Sequence, residues 1–324
     1  MSRLYLLGGR QRKRLLKSEE EQRLYDTALI LEVDAESGTT RVCMEYQSPA
    51  EVRASAESSV LFKAGALVEN KLYTCTSAEV LIFQVPDFTR IGYVSLPCFN
   101  DLHHVTPSRD GNLVVANTGL DMVVKFTPQG RVLAEWNVLG EDPWARFSRD
   151  RDYRKVESTK PHASHPNFVF ELNGDVWVTR FEQRDAACLT VPAKKIDIAV
   201  QRPHDGVVFG ERVFFTTVDG HAVVANASSL EVERIVDLSN LSEDRGVLLG
   251  WCRGILPLDE QKIWVGFTRV RKTQFQENVL WIKHRFRERE KPTHIALYDL
   301  AKKCCLRELD LEPYGMNVVF GIYR

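Results

Sequence analysis

The sequence lacks the features that would place the chain in a membrane or in a secreted disulfide framework. No apolar run reaches the ~18 residues that a transmembrane helix needs, and segment 1–14 has neither the apolar length nor the cleavage site of a signal peptide. The seven cysteines are an odd number and form no Cys-x-x-Cys pair, which disfavours disulfide frameworks and zinc knuckles. The formal net charge of -1 provides no general attraction to nucleic acid or anionic lipid. We therefore expect a cytoplasmic protein with no nucleic-acid or membrane partner.

The composition is that of a globular protein with a substantial core. The chain has 324 residues, of which 44% are hydrophobic and 27% are charged. Because single all-β domains reach this length, we expect one domain over residues 1–324.

One short pattern occurs at least three times, with a period of roughly 40 residues. In each copy a polar residue opens an apolar run, a tight turn follows, and a second apolar run ends in a polar residue. Clear copies cover residues 101–117, 166–180 and 203–217, and weaker copies cover 59–76 and 250–267. The turns carry pairs such as Asp-Gly and Asn-Gly, which suit hairpins between adjacent strands. Such repetition predicts the blades of a β-propeller.

The two ends of the chain supply one further blade. Residues 316–323 read as a first strand with nothing after it, and residues 4–7, 28–34 and 41–46 read as the second to fourth strands. Joining them closes the ring and removes two exposed sheet edges. The sequence therefore predicts an all-β, six-bladed β-propeller with a split terminal blade, although five or seven blades remain open.

Three insertions interrupt the repeat, at residues 8–27, 140–163 and 268–292. Residues 8–27 and 278–290 carry mixed charges at helical spacing, which predicts helices. All three insertions are expected on the face where the first strands begin. They form either a lid over that face or simple surface decoration.

Aligning the blades on the turn after the first strand predicts a ring of polar residues at the channel mouth. This ring consists of Lys63, His104, Asn167, His204, Arg253 and Asn317. Polar side chains expected nearby are His103, Asn117, His162, His165, Arg180, Glu182, Asp205 and His221.

Two interpretations of the histidines stay open. His104 and His204, with His162 or His165, could hold a divalent metal, because three imidazoles with an open position suit catalytic zinc or iron. Alternatively, each histidine hydrogen-bonds a carbonyl group where the blades splay apart.

The other polar residues suggest how an anionic substrate could be held and processed. Lys63, Arg180 and Arg253 could bind a carboxylate or phosphate group, and Asp205 or Glu182 could move a proton. Further substrate contacts are predicted from Asn117, Asn167, Asn317, His103 and His221.

Residues 110–132 resemble a blade of the NHL type. The whole chain is similar to the six-bladed superfamily that contains gluconolactonases, paraoxonases, strictosidine synthase and peptidylglycine amidating lyase. The lactonases hold axial calcium with Asn, Asp and Glu, a scheme that Asn167 and Asn317 fit and that His104 and His204 do not. The amidating lyase is the better match for channel histidines. The resemblance implies a propeller fold and a metal-dependent lyase or hydrolase.

Together these observations predict a cytoplasmic, metal-dependent lyase, hydrolase or cyclase. Its substrate would be an anionic small molecule or peptide bound at the channel mouth, and zinc or iron is favoured over calcium. The alternative is a non-catalytic propeller that binds a protein or small ligand through its lidded face.

Overall fold

A computed structural model of the chain describes residues 3–13, 23–242, 247–270 and 290–324. These residues form six antiparallel, four-stranded sheets, and the first sheet contains both ends of the chain. The prediction of a six-bladed β-propeller with a split terminal blade is therefore confirmed.

The blades are numbered I to VI around the ring, each from its inner to its outer strand. Blade I consists of β24 (Val318–Tyr323), β1 (Arg3–Gln11), β2 (Tyr25–Asp34) and β3 (Thr40–Tyr46). Blade II consists of β4 (Ala66–Val68), β5 (Lys71–Cys75), β6 (Val80–Gln84) and β7 (Thr89–Val94). Blade III consists of β8 (Leu102–Pro107), β9 (Leu113–Asn117), β10 (Met122–Phe126) and β11 (Val132–Asn137).

The second half of the ring repeats this order. Blade IV consists of β12 (Pro166–Leu172), β13 (Asp175–Arg180), β14 (Asp185–Cys188) and β15 (Lys195–Asp197). Blade V consists of β16 (Val207–Phe209), β17 (Arg212–Thr216), β18 (His221–Asn226) and β19 (Val232–Asp237). Blade VI consists of β20 (Trp251–Pro257), β21 (Lys262–Thr268), β22 (His294–Asp299) and β23 (Cys304–Asp310).

The hydrophobic core is divided among the contacts between neighbouring blades. A large apolar cluster fills each of the six gaps, including the gap that closes the ring between blades VI and I. Trp264 of blade VI packs there with Leu4 and Val319 of blade I. Burying a side chain of this size contributes about 1.5–3 kcal/mol, so closure of the ring stabilises both ends of the chain.

A one-residue bulge lies in the inner strand of several blades. The register shifts around His103, Asn167, Gly254 and Phe320 in blades III, IV, VI and I. Because side chains alternate between the faces of a strand, a bulge reverses which of them point to the channel.

The insertions differ in part from their predicted boundaries. Residues 8–11 belong to β1 and residues 25–27 belong to β2, so the first insertion is shorter than expected. The helix predicted over 8–27 is wrong at both ends, where these strands lie, and its residues 14–22 lie outside the described residues. Residues 278–289 of the helix predicted over 278–290 also lie outside them. The insertion at 140–163 contains the 3-10 helix Tyr153–Lys155. The described ranges contain no helix that is long and apolar enough to span a bilayer.

Candidate functional site

A cavity of about 720 Å³ opens at the end of the propeller where the inner strands begin. Every blade contributes to its floor, through Phe320, Lys63, His103, His165, His204 and Arg253 in the order of blades I to VI. The described parts of all three insertions also line the cavity, including Leu24, Lys160 and Arg269. The cavity is therefore the place where the ring axis and the insertions meet.

Phe320 occupies the centre of this floor. Its ring centroid lies 6.1 Å from that of His103 and 5.8 Å from that of His204. The same ring lies 5.7 Å from Lys63 Nζ and 4.7 Å from the Arg253 guanidinium. Phe320 is the bulged residue of β24. Its ring lies next to polar side chains from four other blades.

Lys63, Asp101 and His103 form a compact polar group on one side of Phe320. Lys63 Nζ lies 2.5 Å from Asp101 Oδ1, and only 7% of the Lys63 side chain is exposed. Burial alone would raise the pKa of Asp101, but Lys63 and the nearby imidazoles outweigh it and lower that pKa. The pair therefore stays ionised, with a buried ammonium group at the cavity wall.

His103 has a defined tautomer in this group. Its Nδ1 atom lies 2.9 Å from the Asp101 carbonyl oxygen, to which only a protonated nitrogen can donate. Burial and the adjacent Lys63 ammonium hold the pKa of His103 well below its ordinary value. Its Nε2 atom is thus an unprotonated hydrogen-bond acceptor at neutral pH.

His162 and His165 form a directly bonded pair, with 2.8 Å between their Nδ1 atoms. Thr159 Oγ1 donates to the Gly119 carbonyl at 2.5 Å and lies 3.4 Å from His162 Nε2. In the neutral pair one Nδ1 atom donates and the other accepts, so the donating ring keeps its lone pair on Nε2.

Asp121 holds the chain that carries this pair. Its carboxylate accepts hydrogen bonds from the backbone N–H groups of Ala163, Ser164 and His165, at 2.8, 2.9 and 2.9 Å. His165 has a left-handed backbone, with φ of 58°, and this conformation is uncommon for residues other than glycine. Asp121 therefore fixes a turn that the local sequence does not favour by itself.

His204 is buried at the cavity and lacks hydrogen-bond partners. Only 2% of its surface is exposed, and neither ring nitrogen has a partner among the described residues. Its Nδ1 atom lies 3.7 Å from Asp205 Oδ1. Burial lowers the pKa of His204 although Asp205 acts in the opposite direction. His204 thus lines the cavity as a neutral imidazole whose nearest charged neighbour is Asp205.

Arg253 is the most available cation on the floor. Its guanidinium stacks between Phe320, at 4.7 Å, and Trp251, at 5.8 Å. Its Nε atom is buried without an acceptor, and the ion pairs of the described residues include none for Arg253. The described lining of the cavity contains seven lysines and arginines but three aspartates and glutamates. This excess of basic side chains favours binding of an anion.

Glu182 also lines the cavity, at its outer part. It is paired with Arg202 at 3.0 Å, and Arg202 stacks on Phe181 at 5.2 Å. The predicted cavity residues Lys63, Glu182, Arg253, His103, His162, His165 and His204 are thus brought together.

His104 lies outside the cavity, contrary to its predicted place in the ring. The bulge at His103 turns the His104 ring into the blade, where it stacks on Phe168 at 3.5 Å. Its Nε2 atom lies 2.9 Å from the Gly65 carbonyl, and Val169 N donates to its Nδ1 atom at 3.3 Å. Both nitrogens are occupied, and burial lowers the pKa of His104 to about 3. This histidine joins neighbouring blades rather than facing a ligand.

Three asparagines from the prediction also lie outside the cavity lining. Asn117 bonds Asn100 N–H and the Cys98 carbonyl. Asn167 donates to the Pro203 carbonyl, and Asn317 accepts from Gln11 N–H. Asn167 is the bulged residue of its inner strand, and the bulge in β24 brings Phe320 rather than Asn317 to the cavity. Asn117 lies at the end of the second strand of its blade and not on an inner strand.

The remaining predicted site residues have structural partners. Asp205 is 1% exposed, accepts from Gly254 N–H at 3.0 Å and bonds Thr216 Oγ1, which ties blade V to blade VI. Arg180 forms an ion pair with Asp185 at 2.6 Å. His221 lies 3.0 Å from Asp219 Oδ1 and does not line the cavity.

Sequence reasoning did not identify Phe320, Asp101, Asp121 or Arg53, although all four contribute to the cavity or its frame. Asp101 and Asp121 have left-handed backbones, which aspartate tolerates better than most residues. No pattern in the sequence distinguishes Phe320 from other strand aromatics, since its position depends on the bulge in β24.

The predicted metal site does not form as expected. Within the described ranges, no three His, Cys, Asp or Glu side chains are arranged to hold a metal ion. His104 lies apart from the other histidines. Lys63 Nζ lies 3.4 Å from His103 Nδ1, and its positive charge would repel a divalent metal ion bound there. Binding of zinc or iron stays a prediction.

Comparisons with known proteins place the chain by fold alone. Neither protein-family models nor curated proteins yield a match to the sequence. A protein of unknown function from Bacteroides caccae is similar at TM-score 0.62 and 14% identity, with 99% of this chain and 98% of that chain covered. A chain of a nidogen/laminin complex is similar at TM-score 0.56 and 9% identity, with 98% and 97% covered. Virginiamycin B lyase from Staphylococcus aureus, in a complex with quinupristin, gives TM-score 0.48 at 14% identity over 73% of this chain and 69% of that chain.

Proposed function

We propose that the protein is an enzyme that acts on an anionic small molecule bound at the floor of the cavity. The observation that carries this proposal is Arg253, whose guanidinium is oriented by two aromatic rings and has no ion-pair partner in the described chain. A planar, bidentate donor in a partly desolvated wall suits a carboxylate or phosphate group. Lys63 adds a second positive charge, with its Nζ atom 5.7 Å from the centroid of the Phe320 ring.

The histidines supply the proposed proton transfer. His103 and His204 are neutral, lie 6.2 Å apart between ring centroids and face the same cavity. A neutral imidazole beside a bound anion can accept a proton from the substrate. The Lys63 ammonium can then stabilise the negative charge that develops. This arrangement supports lyase or hydrolase chemistry that begins with proton abstraction.

Binding of the anion is tested with Arg253→Gln. Butyrate is titrated into the wild type and the variant by calorimetry, and loss of a charge-assisted pair should weaken binding roughly tenfold or more. Arg109→Gln is the matched control, because Arg109 lies outside the cavity and 75% of its side chain is exposed. Equal affinity in the wild type and Arg253→Gln would refute the proposed anion site.

Proton transfer is tested separately. The wild type is incubated in D₂O with 2-oxobutyrate, and NMR follows exchange of the acidic C3 protons. Exchange that is lost in His204→Gln but kept in Arg109→Gln supports a catalytic imidazole. Binding without exchange favours the alternative, a non-catalytic propeller that binds small ligands.

A second candidate function depends on a divalent metal held by the histidines of the cavity. Its support is the proximity of the His103 and His165 rings, at 4.9 Å, and of the His162 and His165 rings, at 5.1 Å. Elemental analysis of untagged protein, before and after incubation with zinc or ferrous iron, distinguishes the candidates. Close to one metal per chain, lost in His165→Gln, would favour this candidate over the metal-free site.

A further inference from the structure

A second available arginine lies in the outer part of the same cavity. Arg53 follows the 3-10 helix Ala50–Val52 in the connection between blades I and II. Its Nε atom is buried without an acceptor, as is that of Arg253. Its Nη1 atom donates to the Ala56 carbonyl oxygen at 3.4 Å, and no described carboxylate forms an ion pair with it.

Most other cations of the cavity are already neutralised. Lys63 pairs with Asp101, and Arg202 pairs with Glu182. Arg154 and Arg269 pair with Asp152 and Glu312, at 2.8 and 2.7 Å. Four cations thus have carboxylate partners, whereas Arg53 and Arg253 do not. Arg269 also has a buried Nε–H without an acceptor, but its Nη2 atom is paired with Glu312. An unused buried donor carries a desolvation cost that a bound anion would remove.

The segment that carries Arg53 is held in place by the insertion at 140–163. Lys155 Nζ donates to the carbonyl oxygens of Ala50, at 2.9 Å, and Arg53, at 3.2 Å. The polar residues Ser48, Ser58 and Thr159 also line the cavity. The outer cavity is therefore a supported, polar pocket, whereas Phe320 and Trp251 flank the arginine on the floor.

We propose that the substrate carries two anionic groups, one bound by Arg253 on the floor and the other by Arg53 in the outer cavity. This inference rests on the proposed function, because it assumes the anion site at Arg253. The substrate class is accordingly a dianion, with the segment between its charged ends lying in the cavity.

The test uses two series of probes and three variants of the full chain. Calorimetry compares straight-chain monocarboxylates with α,ω-dicarboxylates of the same carbon number, from four to ten carbons. One dicarboxylate length should bind roughly tenfold more tightly than its monocarboxylate, since a second charge-assisted contact forms. Arg53→Gln should abolish this preference, whereas Arg109→Gln should preserve it.

The outcomes separate the two proposals. If monocarboxylates bind in an Arg253-dependent manner but no dicarboxylate is preferred, the dianion inference is overturned and the anion site survives. The same conclusion follows if a preference exists but persists in Arg53→Gln. If neither series binds, or if Arg253→Gln binds normally, the proposed function itself fails.

Discussion

The Arg253 guanidinium lies 4.7 Å from the centroid of the Phe320 ring, and the two residues come from blades VI and I, which close the ring. The strand that carries Phe320 is the last of the chain, and it pairs with the first strand. Orientation of the proposed anion site therefore depends on correct joining of the two chain ends.

Replacing Phe320 should weaken anion binding without preventing folding. In Phe320→Leu the apolar volume is largely kept, but the cation–π contact with Arg253 is lost, which corresponds to roughly a 3- to 30-fold loss of affinity. Butyrate calorimetry measures this loss. Phe209→Leu is the control, since Phe209 is 37% exposed and outside the cavity. Unchanged affinity in Phe320→Leu would contradict an orienting role.

Asp205→Asn should reduce stability more than it affects the chemistry. Asp205 accepts two contacts from Gly254 N–H and bonds Thr216, and loss of buried charge-assisted bonds costs about 1–3 kcal/mol. Urea denaturation measures the change in the free energy of unfolding. Asp197→Asn, at a side chain that is 64% exposed, should be neutral. Normal stability together with abolished proton exchange would instead indicate the catalytic role predicted from the sequence.

Asp121→Asn should loosen the segment that carries His162 and His165. The asparagine retains one acceptor oxygen for the three N–H donors that now share the carboxylate. Hydrogen exchange at residues 163–165 should accelerate at least about tenfold, which corresponds to loss of more than ~1.4 kcal/mol of local protection. Asp142→Asn, in the same insertion, should leave these amides protected. Unaltered exchange in Asp121→Asn would show that other contacts hold the turn.

His104 should make folding stability depend on pH. Burial lowers its pKa to about 3 in the folded state, whereas an unfolded imidazole titrates near 6.5. The unfolded state therefore binds more protons between these values, and stability falls as the pH drops below about 6.5 and stops falling below about 3. At pH 5 the loss from this residue is roughly 2 kcal/mol relative to neutral pH.

The variant His104→Gln isolates this effect. Urea denaturation between pH 7 and pH 4.5 measures how the free energy of unfolding falls as the pH drops. The fall should be shallower in the variant than in the wild type, because unfolding of the variant takes up as much as about one proton fewer. The absolute stability at pH 7 can be lower, because the bond to Gly65 is altered. An identical pH slope in both proteins would argue against a neutral, buried His104.

The repeat pattern was sufficient to predict the blades, because local alternation and turn residues determine where strands begin and end. It predicted the residues of the split blade and placed the insertions on one face, and their described parts do line one cavity. It also indicated Lys63, His204 and Arg253 as cavity residues. These assignments follow from the position of each residue relative to the turn of its repeat, and the sequence shows that position directly.

The selection of the other cavity residues was decided by tertiary structure. The bulges in the inner strands reverse the alternation, so that His103 replaces His104 and Phe320 becomes the centre of the floor. No sequence spacing reveals a bulge of one residue, since it appears only in the register between the inner strand and the strand beside it. Pairing of distant charges, such as Lys63 with Asp101, decided which cations stay available. The sequence by itself determined the architecture and the location of the site, whereas bulges and ion pairs across blades decided which side chains face a ligand and with what charge.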